Sequence, residues 1–470
     1  MPVSAPSQGI EIGRRALQAH QTALNVTSHN IANASTEGYS RQRVELESVA
    51  GGVGSGVDAA AIVRQRSSFL DSQVRVEQQI LGRWEAIEQA MTGLEGIFNE
   101  PVGAGSSETG TIFNEPSGTG LSGSLSRFWN AWQDLANVPE SGAARASVRQ
   151  EADFLVTTMH QLSQQLADSR SGLDAEVVRE VEAINQILDQ LADINGEIPR
   201  ATYNGGTDAD LSDQRDRLIE ELSTKVDISV IEGDNGQVSV LLSGHNLVQA
   251  TTSVHLAVRI LNQNDFPTTN VFFADDGSPV DIAEGRLSGQ MMVRDETIPG
   301  IQAHLDDMAA ALVEQVNGQH RSGTGLNGTT DVDFFDNSKT SASNMAIDAQ
   351  ILGDLDKIAA SGDGNAGDNE IALSISQLRN RSVLGGGGSQ TIEGYYQTLL
   401  GEVGAQSKEA QTMAENHRLF ASQIENRRQG IQGVSLNDEA SQLILFQRAY
   451  QAAARTVSVI DELMEMTIGM

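Results

Sequence analysis

The sequence predicts a mainly α protein with β insertions, an α+β chain drawn out into an elongated form. Three observations carry that class. Both ends hold amphipathic helical seams. Leu443, Phe446, Tyr450, Ala453, Val457, Ile460 and Met464 alternate at spacings of three and four, the pattern of a helix that seeks a partner helix. Leu17, Leu24 and Ile31 recur every seven residues near the start, with Ala16, Ala19, Ala23 and Val26 beside them. Between the ends, the apolar period switches from helical spacing to alternation after Asp227 and back again at Leu287. Aromatic residues make up only 4% of the 470 residues, few for one large compact core.

Charge is unevenly placed. The formal net charge is −32. Residues 1–83 are close to neutral, with eight Arg against seven acidic residues, and residues 434–470 carry two Arg against five acidic residues. The acidity therefore lies in the middle, which suits water and argues against nucleic acid or an anionic membrane as partner. The near-neutral ends suit burial in an assembly. There are no cysteines, which excludes disulfides, cysteine-ligated zinc and a cysteine nucleophile, and is compatible with export in an unfolded state. No basic-then-apolar leader opens the sequence, and no apolar run is long enough to span a membrane.

In chain order, residues 9–33 read as a helix with no proline. Residues 33–42 are turn-like, because Asn, Ser, Thr and Gly compete with helical backbone bonding. Residues 43–49 alternate as a short strand, and residues 51–56 form a Gly-rich turn. Residues 64–98 return to helical spacing. Ile97-Phe98-Asn99-Glu100-Pro101 then recurs as Ile112-Phe113-Asn114-Glu115-Pro116, a tandem repeat in a Gly/Ser-rich surface loop. Helices are expected at 121–138, stopped by Pro139, at 145–166, at 173–194, closed by Asn195-Gly196 and Pro199, and at 211–226. Around Asp234-Asn235-Gly236 the residues Ile228, Val230, Val238, Val240 and Leu242 give a hairpin signal, and strands continue at 254–260 and 270–273. Residues 287–319 are helical, 321–388 polar and irregular or β, 385–388 a hinge-like Gly linker, and 392–430 a long helix before the last one.

This order closes most simply in antiparallel fashion: first helix with last, second with second-to-last. The expected division is a terminal helical core of 1–48 and 434–470, and a helical middle of 49–226, 285–320 and 389–433. Residues 227–284 and 321–388 are expected as β-rich or irregular outer insertions. The C-terminal seam is strict. The N-terminal one has His20, Gln21, Thr27 and Ser28 at intermediate positions, so a strong helix is expected to recruit a weak one.

Patterns that could carry chemistry have simpler explanations. Gly-x-Gly-x-x-Gly occurs at Gly118, Gly323 and Gly362, never between a buried strand and a helix, and 46 glycines account for all three. The eight histidines show no metal-ligand spacing. The stretches 331–336 and 363–370 resemble fragments of calcium loops, and neither completes the ligand pattern. Residues 210–217 are dense in charge and read as a capped helix start with local pairs such as Asp213–Arg217. No Gly-x-Ser-x-Gly elbow is present. No catalytic, cofactor or metal residues are therefore assigned.

One stretch is specific. Leu24-Asn25-Val26-Thr27-Ser28-His29-Asn30-Ile31-Ala32-Asn33-Ala34-Ser35-Thr36-Glu37-Gly38-Tyr39-Ser40-Arg41-Gln42 closely resembles the N-terminal signature of bacterial flagellar rod, hook and hook-associated proteins. Its Gly-Tyr-Ser-Arg-Gln ending is the form typical of members at the hook–filament junction, where hook proteins usually read Gly-Phe-Lys. Residues 434–440 and 446–455 resemble the matching C-terminal signature. Residues 112–135, 210–230 and 305–335, the last with Val316-Asn317-Gly318-Gln319-His320, resemble internal stretches of the junction members. The tandem repeat and a compact middle are departures from them.

The resemblance implies a structural adaptor in the extracellular flagellum, exported through the flagellar apparatus without a cleaved signal peptide. It implies hook protein and a second hook-associated junction protein as partners, a ring of identical copies, and an export chaperone on the C-terminal helix. It implies assembly roles for Asn30, Asn33, Gly38, Tyr39 and Arg41 beside the two seams. A hook or distal-rod protein is the alternative; an enzyme has no supporting constellation. Neither nucleic acid nor membrane insertion is expected.

Overall fold

The computed structural model describes residues 5–49, 56–98, 120–203, 208–233, 236–263 and 266–468. The repeated segment at 112–116, most of the 51–56 turn and Asp234-Asn235 lie outside them. The chain runs through α1 (Ala5–Ala32), the hairpin β1 (Gln42–Ser48) and β2 (Val57–Arg64), α2 (Ser68–Phe98), α3 (Leu121–Asn137), α4 (Gly142–Tyr203) and α5 (Ala209–Lys225). Six strands follow: β3 (Ile228–Glu232), β4 (Val238–Leu242), β5 (His245–Gln249), β6 (Thr252–Ser253), β7 (Leu256–Gln263) and β8 (Phe266–Phe273). Then come α6 (Arg286–Met292), a π turn (Val293–Thr297) and α7 (Ile298–Arg321). Next are β9 (Thr324–Gly325), α8 (Ala349–Gly353), β10 (Ala359–Ser361) and α9 (Glu370–Gln377). The chain closes with α10 (Ile392–Gln432) and α11 (Leu436–Ile468). The mainly α class with β insertions is what is found.

The nested closure is also found: α1 packs on α11 and α2 on α10. Antiparallel direction in the outer pair follows from its contacts, with Gly9 against Ile460, Gly13 against Val457, and Asn30 bonded to Glu439. The alternation after residue 227 becomes a four-stranded antiparallel sheet, β3-β4-β5-β6, and a separate β7-β8 ribbon. The hairpin signal is met by β3 and β4, paired from Ile228↔Leu242 to Glu232↔Val238. Val238, Val240, Leu242, Leu247 and Val248 turn inward on the Val177–Leu191 face of α4, so alternation reads out one buried side of the sheet.

Four expectations need correction. The two helices expected at 145–166 and 173–194 are one helix of 62 residues, α4, which passes through Gly172 and Pro199. A single glycine costs about 1 kcal/mol and does not stop a helix packed along its length. Pro199 cannot donate to the carbonyl of Asn195, and Gln237 Nε2 donates to that carbonyl instead, at 3.1 Å. The Asn195 side chain meanwhile clamps both the N–H and the C=O of Val238. Tertiary bonds thus replace the one that proline removes.

The segment 321–388 is largely irregular, as one of the two readings had it, but its apolar residues do not lie outside the core. Phe334, Phe335, Met345, Ile351, Ile358, Ile371 and Ile375 are buried in one core with Phe128, Trp132, Leu155 and Leu312. Asn317 and His320 of α7 fold it inward. Asn317 accepts from the N–H groups of Phe334 and Phe335 and donates to the Phe335 carbonyl. His320 donates through Nδ1 to the Val332 carbonyl and accepts at Nε2 from the Ala359 N–H. Burial of that ring lowers its pKa to about 4, so it is neutral at neutral pH.

Strand β2 was not expected. Its Ala-rich sequence carries weak β propensity, and pairing with β1 supplies the order. Residues 385–388 are a closed turn rather than a hinge, since Leu384 and Gln390 bond to each other across it.

Candidate functional site: the terminal helix pair and its clamp

The seam of α11 faces α1. Leu443, Phe446, Tyr450, Ala453, Val457, Ile460 and Met464 are all half-buried. Opposite them α1 offers small residues. A Cβ added at Gly9 would meet Ile460 Cδ1 at 2.8 Å, and one at Gly13 would strike Val457. The His20 ring lies 6.4 Å from that of Phe446. The large side chains of one helix thus fill the space left by small ones on the other, and the axes close in. Leu17, Leu24 and Ile31 stay half-buried, while the most deeply buried positions of α1 are Gly13, Ala19, Ala23, Val26, Thr27 and Asn30. The third partner is the β1–β2 hairpin, tied to α1 by Arg15–Asp58 at 3.2 Å and by Asn30 with Gln42.

A polar knot closes the helix pair at the end where the signature stretch turns back. Asn30 is buried and fully used. Its Nδ2 donates to the Gln42 carbonyl at 2.8 Å and to Glu439 Oε2 at 3.0 Å, and its Oδ1 accepts from the Tyr39 hydroxyl at 2.8 Å and the Gln42 N–H at 3.0 Å. Arg41 Nε donates to Glu439 Oε1 at 2.7 Å, and its backbone N–H to the Gln432 carbonyl at 3.0 Å. Glu439 is only 1% exposed. The Tyr39 phenol is pushed well above its usual pKa by burial and by the carboxylates of Asp210, Asp213 and Glu439. It therefore stays protonated as a donor. Asn33 caps the end of α1, its Nδ2 bonding the His29 carbonyl and its Oδ1 accepting from Thr36. Gly38 takes a φ of 72°, and Arg217 lies directly over it, so a side chain is excluded twice. The structure therefore brings Asn30, Asn33, Gly38, Tyr39 and Arg41 together.

The charged stretch 210–217 has a role that sequence reasoning missed. Instead of the expected pair with Arg217, Asp213 accepts from the Ser40 N–H at 2.9 Å and from Arg64 at 2.8 Å. Gln42 Nε2 bonds Asp210 at 3.0 Å, and Arg217 reaches the Glu37 carbonyl. Asp216 lies among Arg64, Arg66 and Arg215. Burial opposes its ionisation, and the Arg66, Arg215 and Arg64 guanidinium groups outweigh burial, holding its pKa below the usual value. Arg66 and Gln432 also bond Asp71, and Arg428 pairs with Glu220. This ionic cluster joins the terminal pair to the middle around a cleft of about 1150 Å³, lined by the 33–39 turn, α5 and the end of α10. Glu439 had a signal too: it lies seven residues before Phe446, in register with the seam.

The opposite side of α11 is unfilled. Among the described residues, Leu445, Ala452, Val459 and Met466 repeat every seven residues and are all exposed, with Ile444 nearby. No helix among the described residues is long and apolar enough to cross a membrane. The acidic loops that resemble calcium fragments are occupied by their own turns. Asp336 accepts from Ser338, and Asp368 from the N–H groups of Gly362 and Asp363.

Comparisons with known proteins agree with this layout. Residues 106–335 match the helical domain of flagellar hook-associated protein FlgK. Residues 10–39 match the flagella basal body rod protein family, and 431–470 the C-terminal family of the rod FlgEFG proteins. Flagellar hook-associated protein 1 of Bacillus subtilis is 30% identical over 98% of this chain and 97% of its own length. The Salmonella typhimurium protein of the same name is 23% identical over 96% and 98%. The flagellar hook junction protein FlgK from Burkholderia pseudomallei shares the fold at a TM-score of 0.65 and 14% identity, over 76% of this chain and 99% of that one. The terminal matches are shared with rod proteins, but the helical domain and the full-length relatives are not. The chain belongs to the family of flagellar hook-associated protein 1, structural proteins of the bacterial flagellum at the junction of hook and filament.

Proposed function

We propose that this chain works as an adaptor whose terminal unit, residues 1–48 with 434–470, is the assembly element. The remainder, the middle with its β unit at 227–284, is a preformed body carried on that element. The observation that carries this is the exposed stripe Leu445–Ala452–Val459–Met466 on a helix whose other face is already paired. An apolar stripe at heptad spacing, left in water, finds its burial against neighbouring helices. The half-buried Leu17, Leu24 and Ile31 add to that surface. The chain associates with other hook components as a member of its family. The specific partners on this reading are hook protein on one side, the second hook-associated junction protein on the other, and identical copies around a ring. An export chaperone covers the C-terminal helix beforehand, and the chain leaves the cell through the flagellar export apparatus without a cleaved signal. Its work is structural rather than enzymatic, in keeping with a family of structural proteins.

The test is a strain lacking the chain, complemented with Leu445→Asp/Val459→Asp. The substituted protein is expected to be secreted and folded while the cells carry bare hooks and shed filament subunits to the medium. Normal filaments on that strain would refute the reading. Missing hooks in the null strain would instead point to a hook or rod role.

A further inference from the structure

The β unit holds a set of donor atoms that assembly does not use. His245 opens β5, just after the turn at Ser243 and Gly244, and Asp275 and Asp276 form the turn that leaves β8. His245 Nε2 lies 3.0 Å from Asp275 Oδ2. One donor atom from each of His245, Asp275 and Asp276 falls within 4.8 Å of the others. The imidazole is stacked on Phe273, ring centroids 4.1 Å apart and planes 18° apart, so its aim is fixed. Each carboxylate is held by one oxygen. Asp275 Oδ1 accepts from the Asp276 N–H at 2.9 Å, and Asp276 Oδ1 from the N–H and hydroxyl of Ser278 at 2.8 and 2.7 Å. The second oxygen of Asp275 faces the imidazole.

We propose that His245, Asp275 and Asp276 form a binding site for a divalent transition metal, with Zn²⁺ the best fit. An imidazole nitrogen beside two carboxylate oxygens suits zinc and its neighbours; magnesium and calcium take oxygen ligands alone. Zinc bonds of about 2.0 Å in a tetrahedron put ligand atoms roughly 3.3 Å apart. The His245–Asp275 spacing of 3.0 Å is close to that, and an oxygen of Asp276 lies within 4.8 Å of both donor atoms. Water completes the fourth position. The partners of the carboxylates and the Phe273 stack are the outer shell that orients metal ligands. The bound ion would join β5 of the four-stranded sheet to the end of the β7–β8 ribbon, stapling the two sheets.

The test is Zn²⁺ titration of the full chain by calorimetry, with folding checked by circular dichroism. One tight Zn²⁺ per chain is expected, undiminished by excess Mg²⁺. Affinity is expected to fall at least about tenfold in His245→Ala and in the exposed change Asp275→Asn. Wild-type affinity in either folded variant would overturn the proposal, as would displacement of the bound Zn²⁺ by Mg²⁺.

Discussion

In the middle of the molecule, Phe128, Trp132, Phe334 and Phe335 are fully buried and pack together in tilted and edge-to-face pairs at centroid distances of 4.9 to 6.3 Å. In the terminal pair, all seven seam residues of α11 remain half exposed and its outer stripe is open. The first region uses few aromatics but concentrates them at one point, and completes its core within the chain. The second spreads its apolar residues along a narrow line on both sides of a helix. A two-helix pair cannot bury two stripes on one helix. On the proposed function, the first part is finished as a monomer and the second waits for neighbours.

That contrast can be broken from either side. Trp132→Ala is expected to cost about 4 kcal/mol of the middle's unfolding free energy, read in a denaturant titration, with a far smaller effect on the α1–α11 pair. The pH profile comes next. His320 is neutral when folded, with a pKa of about 4, against about 6.5 for a free histidine. The unfolded chain binds the extra proton between those values. Stability is therefore complete above about pH 6.5 and falls by roughly 3 kcal/mol as pH drops to about 4. His320→Gln should flatten that slope, as followed by urea midpoints across the range.

Glu439→Ala removes the acceptor of Asn30 and Arg41. It is expected to loosen the terminal pair by about 2 kcal/mol, seen as faster amide exchange in α1 and α11, without moving the midpoint of the middle. The smallest monomer effect belongs to the outer stripe. Leu445→Asp should change monomer stability by no more than about 0.5 kcal/mol while abolishing incorporation into flagella. A loss of monomer stability comparable to Trp132→Ala would mean that the stripe is packed within the chain.

How far the sequence could be read follows the same division. The α11 heptads were legible because a repeat of seven is a local pattern, and the β3–β4 hairpin because alternation brackets a turn. In α1 the small residues read beside the seam, Ala19 and Ala23, are the buried ones, and Gly9 and Gly13, which no apolar period includes, meet Ile460 and Val457. The continuity of α4 depends on Gln237 reaching the carbonyl that Pro199 leaves free, a bond no local pattern shows. Residues 321–388 read as an irregular or β-rich outer insertion because their apolar runs are short, and the bonds that turn those runs inward, from Asn317, His320, Arg145, His160 and Asp306, are long-range. The signature residues were recognised by resemblance; that Asp213 and Glu439 hold them required the fold.

On the proposed function, the terminal helices complete their burial only in the assembly. Hydrogen exchange compares the purified monomer with the same chain in isolated hook–junction complexes. Amides of Ala5–Ala32 and Leu436–Ile468 should exchange fast in the monomer and slow strongly in the complex, while those of α3, α4 and α7 stay protected in both. Equal protection of the terminal helices in monomer and complex would contradict the account.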